Sequence, residues 1–298
     1  MVQNKKFFAY SFVLGIIIAC ISHVAKADIL FEGYSKVLSG GVHIGYSIVR
    51  YEFDNKKKQF IATTFLKTNE FGGNLTESLK AYSTDDMKPV SYQYTTLIGK
   101  DVKTIDAKVD KNKLLASVKM AGKTEKISKE LPKGSFLSSF LAYVMLRSPT
   151  GFKADTKYDF QAVAEEDGSL NSGIAMIKNQ ESYNGIKAYR VLNEFKGSKF
   201  ISMVSDKGEV FSTKSPVQGI STELMAKPSE ATAGFNLPTS TLRTLFGNIP
   251  TGQMNEVSKL AQSQPPAAAT PTPSAKQEGI PAGAGIHVKP TPEKTEGK

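Results

Sequence analysis

Along most of the chain, apolar and polar residues alternate with a period of two, the pattern of strands that bury one face. In "GVHIGYSIVRYEF", Val42, Ile44, Tyr46 and Ile48 share one face, and the apolar set then moves to Val49, Tyr51 and Phe53. A phase change inside one long strand predicts a bulge or a sharp bend. "DNKKK" turns the chain and "QFIATTFLKTNEF" returns; "NLTESLKAYS", "PVSYQYTTLIG", "VKTIDAKVD" and "KLLASVKMAG" continue the pattern. A second series follows at "KYDFQAVAEE", "GIAMIKNQESY", "IKAYRVLNEF", "FISMVSD", "GEVFSTKSP" and "GISTELMAK". Asn184-Gly185 is a two-residue hairpin signal of the primed type, and Gly197 and Gly208 supply further positions where φ is free to be positive. Short strands at this spacing predict one mainly β domain over residues 28–250, built as a curved antiparallel sheet or half-barrel.

Between the two series lies a stretch with a different period, "GSFLSSFLAYVMLRSP". At 100° per residue, Phe136, Leu137, Phe140, Leu141, Val144 and Met145 fall on one half of a helical wheel, and no charge occurs from Ser135 to Leu146. The spacing predicts a helix over 135–147, capped by Ser135 and stopped by Pro149. Apolar on one side and small on the other, it belongs inside the protein. Its length of about 18 Å is too short to cross a bilayer. The sheet is therefore expected to wrap around one central helix. Those six side chains are the candidate ligand-binding residues if the helix lids a cavity. Completing the core and docking on a partner or membrane surface are the other placements open to it.

The two ends read differently from the middle. Lys5 and Lys6 precede an apolar run from Phe7 to Ala19, and Ala25 and Ala27 form an A-x-A processing site before Asp28. Residues 1–27 thus predict a secretory signal peptide. "IIAC" offers a second route, lipoprotein processing with a lipidated Cys20, the one case in which the protein would be anchored to a membrane. Toward the other end, "TSTLRTLFGN" and "TGQMNEVSKLAQS" predict short helices, the second opening the segment 251–298. From Gln264 the chain carries seven prolines and no aromatic residue, which predicts a disordered tail.

Charge and chemistry narrow the function. The net charge is +10; the leader holds Lys5, Lys6 and Lys26 and no acid, leaving 35 basic against 28 acidic residues. Only Arg50, Arg147, Arg190 and Arg243 are arginines, and the lysines are scattered among acids, a solvated surface rather than a nucleic-acid face. Cys20 is the single cysteine, so the processed chain has neither a thiol nucleophile nor a disulfide. The histidines, His23, His43 and His287, lie far apart in sequence and suggest no metal site or triad. "SGGVHIG" lacks a P-loop lysine and a following helix. Glu165, Glu166 and Asp167 could serve a carboxylate hydrolase, but at a hairpin tip they read as solvated turn residues. No cofactor is implied.

The leader, the long N-terminal hairpin, the serine-led apolar helix and the late hairpins "ESYNGIKAYRV" and "FISMVSDKGEV" resemble periplasmic half-barrel proteins. The architecture is similar to that of LolA/LolB-type lipoprotein carriers and related uncharacterised envelope families, over roughly residues 30 to 225. The resemblance implies a curved sheet holding acyl chains under a helical lid, here the Phe136–Met145 face. The chain departs from the carriers in having no Trp, a longer strand region and a Pro-rich tail. The sequence thus predicts an exported, periplasmic, non-enzymatic binding protein, holding an apolar or acyl ligand between helix and sheet. The alternative is a structural or regulatory envelope protein that binds another protein through a sheet edge or its tail.

Overall fold

Fifteen strands join into a single sheet in the computed structural model, which describes residues 27–263. The first series comprises β1 (Asp28–Ser39), β2 (Val42–Asp54), β3 (Gln59–Thr68), β4 (Leu75–Thr84), β5 (Pro89–Ile98), β6 (Asp101–Asp110), β7 (Lys113–Met120) and β8 (Lys123–Glu130). The second comprises β9 (Phe136–Leu137), β10 (Lys157–Ala164), β11 (Ser169–Tyr183), β12 (Ile186–Phe195), β13 (Ser198–Ser205), β14 (Val210–Ser215) and β15 (Ile220–Met225). Each series is an antiparallel meander apart from β9, and they join where β1 pairs β15, Tyr34 opposite Met225. The order runs from β8 through β1 and β15 to β9, so the sheet curls without closing and leaves β8 and β9 as its edges. The mainly β, curved antiparallel architecture is the one the alternation predicts.

Turn chemistry fixes the hairpins. Asn184 and Gly185 take φ of 50° and 84°, and Lys196 and Gly197 take 51° and 71°. Positive φ at both central residues matches the right-handed twist of the flanking strands. Three strands escape the alternation. β8, "KTEKISKE", has Ile127 as its one large apolar residue because it is an exposed edge. β1 is buried on both faces over Phe31–Tyr34, and β9 has two residues.

The phase change in β2 has another cause than the predicted bend. Its pairing with β3 is unbroken from Gly45↔Thr68 to Asp54↔Gln59. The strand is covered on both sides: Tyr46 and Ile48 pack outward with Tyr34 and Phe65, while Tyr51 and Phe53 pack inward. Against β1 the register shifts twice, earlier where Val37 faces Gly45 but Leu38 faces His43, and again where Phe31 faces Tyr51 but Ile29 faces Glu52. His43 stands on the outer side against Phe235, with ring centroids 5.2 Å apart.

The central segment divides into three parts. Phe136 and Leu137 pair in parallel with Ala162 and Val163, Ser138–Phe140 form a 3-10 turn, and the α-helix α1 is only Leu141–Arg147. The predicted helix over 135–147 is thus corrected at its start, and Ser135 does not cap it. Leu137 is extended (φ −81°, ψ 130°), and the hydroxyls of Ser138 and Ser139 bond to Glu165 rather than to the turn's own backbone. The stop before Pro149 is as predicted. Leu137, Phe140 and Tyr143 pack on the β3–β7 wing against Phe60, Tyr92, Ile105 and Leu114. Met145, Leu141 and Ala142 pack on the other wing against Ile177, Val191 and Val204. The apolar segment is thus enclosed by strands on both sides.

After β15 the chain folds back over the outer face of the central strands. α2 (Pro228–Ala231) and α3 (Thr239–Phe246) bring Ala231, Leu242 and Phe246 onto Tyr34, Tyr46, Ile48 and Phe65. α4 (Glu256–Ser263) brings Val257 to Phe31, Ala188, Phe211 and Leu224. The packed unit therefore runs past residue 250 to Ser263. Among the described residues no helix is long and apolar enough to cross a membrane. The signal segment with Ala25, the lipobox Cys20, His23, His287 and the tail from Gln264 lie outside the described residues; Ala27 and Asp28 stand at the start of β1.

Candidate functional site

A cleft of about 750 Å³ opens between the central segment and the β10–β12 wing. Phe136, Leu141, Val144 and Met145 line it from one side, and Tyr158, Phe160 and Ile174 from the other, with Lys133 and Lys196 among the polar residues. Four of the six predicted ligand residues therefore come together here. Leu137 and Phe140 do not; both are fully buried in the core on the opposite wing. One aromatic wall depends on a glycine. Phe160 lies across Gly173, where an added Cβ would meet ring atoms at 2.3 and 2.4 Å and the Glu194 carbonyl at 2.9 Å. Gly173→Ala must displace the ring and crowd the Glu194 carbonyl, and it is expected to cost about 1–3 kcal/mol, read from the urea unfolding midpoint.

Behind α1 lies a smaller chamber of about 180 Å³. Leu141 and Met145 line both spaces and so form the partition between them. Ser138, Ser139, Asn193, Ser202 and Thr213 supply its polar wall, and Val191, Val204 and Val210 its apolar one. Asn193 Nδ2 donates to the Val191 carbonyl at 3.2 Å and to Ser202 Oγ at 3.4 Å, and Ser202 Oγ lies 3.3 Å from Thr213 Oγ1. These bonds are at the long end of the hydrogen-bond range. The sequence analysis missed these residues, although a signal exists. On β12 the inward phase reads Tyr189, Val191, Asn193, Phe195, and on β13 Phe200, Ser202, Val204. A polar residue in the apolar phase of a buried strand marks an interior that is not simply packed.

Glu165 corrects a second expectation. Far from being a solvated turn residue, it is 3% exposed. Its carboxylate accepts from Ser138 Oγ at 2.6 Å, Ser139 Oγ at 2.7 Å and the Ser139 amide at 3.1 Å. Burial pushes the carboxyl above the usual carboxylate range, against the pull of those bonds. Tyr51 Oη donates to the Ser139 carbonyl at 2.6 Å, so the 3-10 turn is held from both wings. Glu166 and Asp167 turn the other way and both accept from Lys196 Nζ at 2.6 Å. Glu165 is thus engaged by the serines of the 3-10 turn, and Glu166 and Asp167 by Lys196.

The outer face carries a separate trough of about 770 Å³ across β4–β8, lined by Tyr82, Gln93, Asp106, Lys108 and Lys126 among others. All its lining residues come from the sheet itself.

No family model matches this chain, and no curated protein matches it. Among solved structures, a crystal structure described as a β-barrel-like protein of domain of unknown function DUF1849 from Brucella abortus superposes with a TM-score of 0.47. The identity is 10%, and the match covers 66% of this chain and 96% of that one. Nothing in these comparisons ties the chain to the LolA/LolB carriers specifically.

Proposed function

We propose that this protein is a non-enzymatic binding module of the bacterial envelope, exported to the periplasm, that holds an apolar acyl chain in the cleft between α1 and the β10–β12 wing. The observation that carries the reading is the cleft itself, about 750 Å³ with Phe136, Leu141, Val144, Met145 and Phe160 on facing walls. A volume of that size is within the range of small-molecule sites, and its apolar walls lie beside a polar side made by Lys133, Asp159, Gln161, Glu194 and Lys196. The helix is short and tied down at its start by Glu165, so its cleft side can stay open while its other side completes the core. The leader with Ala25 and Ala27 supports export. The sheet-edge alternative is weaker: β8 is exposed, but its lysines at 123, 126 and 129 are the residues that discourage strand addition.

Organic extraction of the protein purified from its native envelope, followed by mass spectrometry, is expected to release acyl species. A fluorescent fatty-acid analogue should bind and be displaced by them. Ile174→Asp puts a charge on the half-buried β11 wall of the cleft, away from the packed clusters that Val144 joins; it should weaken binding at least tenfold, with little change in the unfolding midpoint. Phe140→Asp is unsuited to the purpose, because it buries a charge in the core. An empty protein that binds no analogue overturns the proposal.

A further inference from the structure

We infer that the ligand is an amphiphile with an uncharged, hydroxyl- or amide-bearing head group, and that this head sits in the chamber behind α1 while its chain crosses Leu141 and Met145 into the cleft. The inference rests on the acyl-binding reading of the cleft and adds the chemistry of the other end.

Three observations support it. The chamber is built as a site for something polar. Asn193 and Ser202 are each only 6% exposed, yet they face a space rather than a packed neighbour, and the bonds linking them to each other and to Thr213 are long. Buried polar groups are normally well paired, so loosely paired ones around a void have capacity for a further partner. The chamber, about 180 Å³ against about 750 Å³ for the cleft, suits a compact head such as a glycerol or amide group.

The charge of the lining then excludes classes. No Lys, Arg or His lines the chamber, and the polar wall is Asn, Ser and Thr. On the near side Ser138 and Ser139 already donate to the Glu165 carboxylate. A carboxylate or phosphate in this chamber would lose its hydration, find no cation, and lie near another acid, and a buried ion without a partner is strongly disfavoured. An ammonium head is no better served, since Ser138 and Ser139 stand between it and Glu165. A neutral head with its own donors and acceptors pairs with Asn193, Ser202 and Thr213 at no such cost.

The shared wall supplies the third observation. Leu141 and Met145 border both spaces, so one molecule can occupy both by displacing two flexible side chains.

Competition against the bound fluorescent fatty-acid analogue at pH 8 tests this with two probes of one chain length, monoolein and oleate. The full-length processed protein should bind monoolein at least tenfold more tightly than oleate. Asn193→Leu, which fills the chamber with a side chain suited to an inward strand position, should erase that preference by weakening monoolein at least tenfold. If that variant is unstable, Ser202→Ala should narrow the preference about threefold. Equal or tighter binding of oleate by the wild type, or a preference unchanged in both variants, overturns the head-group inference and leaves the acyl cleft standing. Failure of both probes and of the analogue to bind overturns the acyl reading itself.

Discussion

Arg50→Met is expected to destabilise the protein by about 3–5 kcal/mol, lowering the unfolding temperature on the order of 10 °C. Arg50 and Glu32 face each other on the outer side of β1 and β2, each 1% exposed, with Nε donating to Oε2 at 2.7 Å and Nη2 at 2.5 Å from the same oxygen. The pair also ties down the returning C-terminal segment. Arg50 Nη1 donates to the Phe246 carbonyl at 2.8 Å, and Glu32 Oε1 accepts from the Gly252 amide at 2.7 Å and from Thr251 Oγ1 at 3.0 Å. Removing the guanidinium strands a carboxylate in the interior, and the cost is that of the uncompensated charge more than of the lost attraction. Adding Glu32→Gln to Arg50→Met should therefore recover part of the loss, because the amide still accepts from Gly252 without carrying charge. Urea unfolding of the two singles and the double would show it. A double variant no more stable than Arg50→Met alone would mean that the buried charge is not the source of the effect. Limited proteolysis gives an independent readout, since the region around Pro250 should be cut faster once Arg50 is gone.

The same pair shows where sequence reasoning stops. The alternation of β2 through β7 is legible because one face of each strand is apolar and the other meets water. It fails on β2 itself, where Arg50 continues the Tyr46–Ile48 phase. An arginine there reads as a return to solvent; only its partner on β1 and the segment more than 190 residues later make it an interior residue. The central helix was legible as buried, since a dozen uncharged residues with helical spacing have nowhere else to go. Its start was not, because Ser138 and Ser139 answer to Glu165, which is distant in sequence and read as part of a hairpin tip. The chamber's polar wall was legible in principle from Asn193 and Ser202 breaking an apolar phase. Period-two counting treats such breaks as noise unless the strand is already known to face inward.

These tertiary dependences share one feature: a buried acid organises a segment that cannot organise itself. Glu32 holds the return over the outer face. Glu209, 4% exposed, accepts from the Glu256 amide at 2.9 Å at the first turn of α4, and burial raises its carboxyl. Glu165 holds the turn before α1. Short helices of seven or eight residues are marginal on their own, so a sheet protein that uses them as covers must anchor their ends. The anchors sit where the covers begin, leaving the faces between free to pack or, at α1, to border a cavity.

For Glu165 the pH dependence separates anchoring by charge from anchoring by hydrogen bonds. Its folded-state proton affinity is raised by burial above the ordinary 4.5. A carboxyl shifted in that direction binds more protons folded than unfolded, so its contribution to stability is full below about pH 4.5 and is lost as pH rises toward and through the folded value. Glu77 and Glu209 are raised for the same reason and add to the trend, while Asp86 and Asp167 are lowered by their lysine partners and oppose it from the acid side. The difference between wild type and a Glu165 variant isolates the one group. Glu165→Gln cannot titrate and can still accept from the Ser139 amide while the serine hydroxyls reorient. Its stability relative to wild type should rise from pH 4 to pH 8, to equality or better at pH 8. Glu165→Ala cannot titrate either, so relative to wild type it should rise by the same amount over that range, but it should lie about 2–4 kcal/mol below Glu165→Gln at every pH, because the Ser139 amide and two hydroxyls lose their acceptor. If the Gln and Ala variants are equally stable, and neither changes relative to wild type across the pH range, the turn is held by packing and the carboxyl is incidental. If Gln matches wild type at pH 8 while Ala does not, the 3-10 turn is fixed by acceptors, not by charge, and the α1 side of the cleft is set in place by the hydrogen bonds Ser138 and Ser139 make.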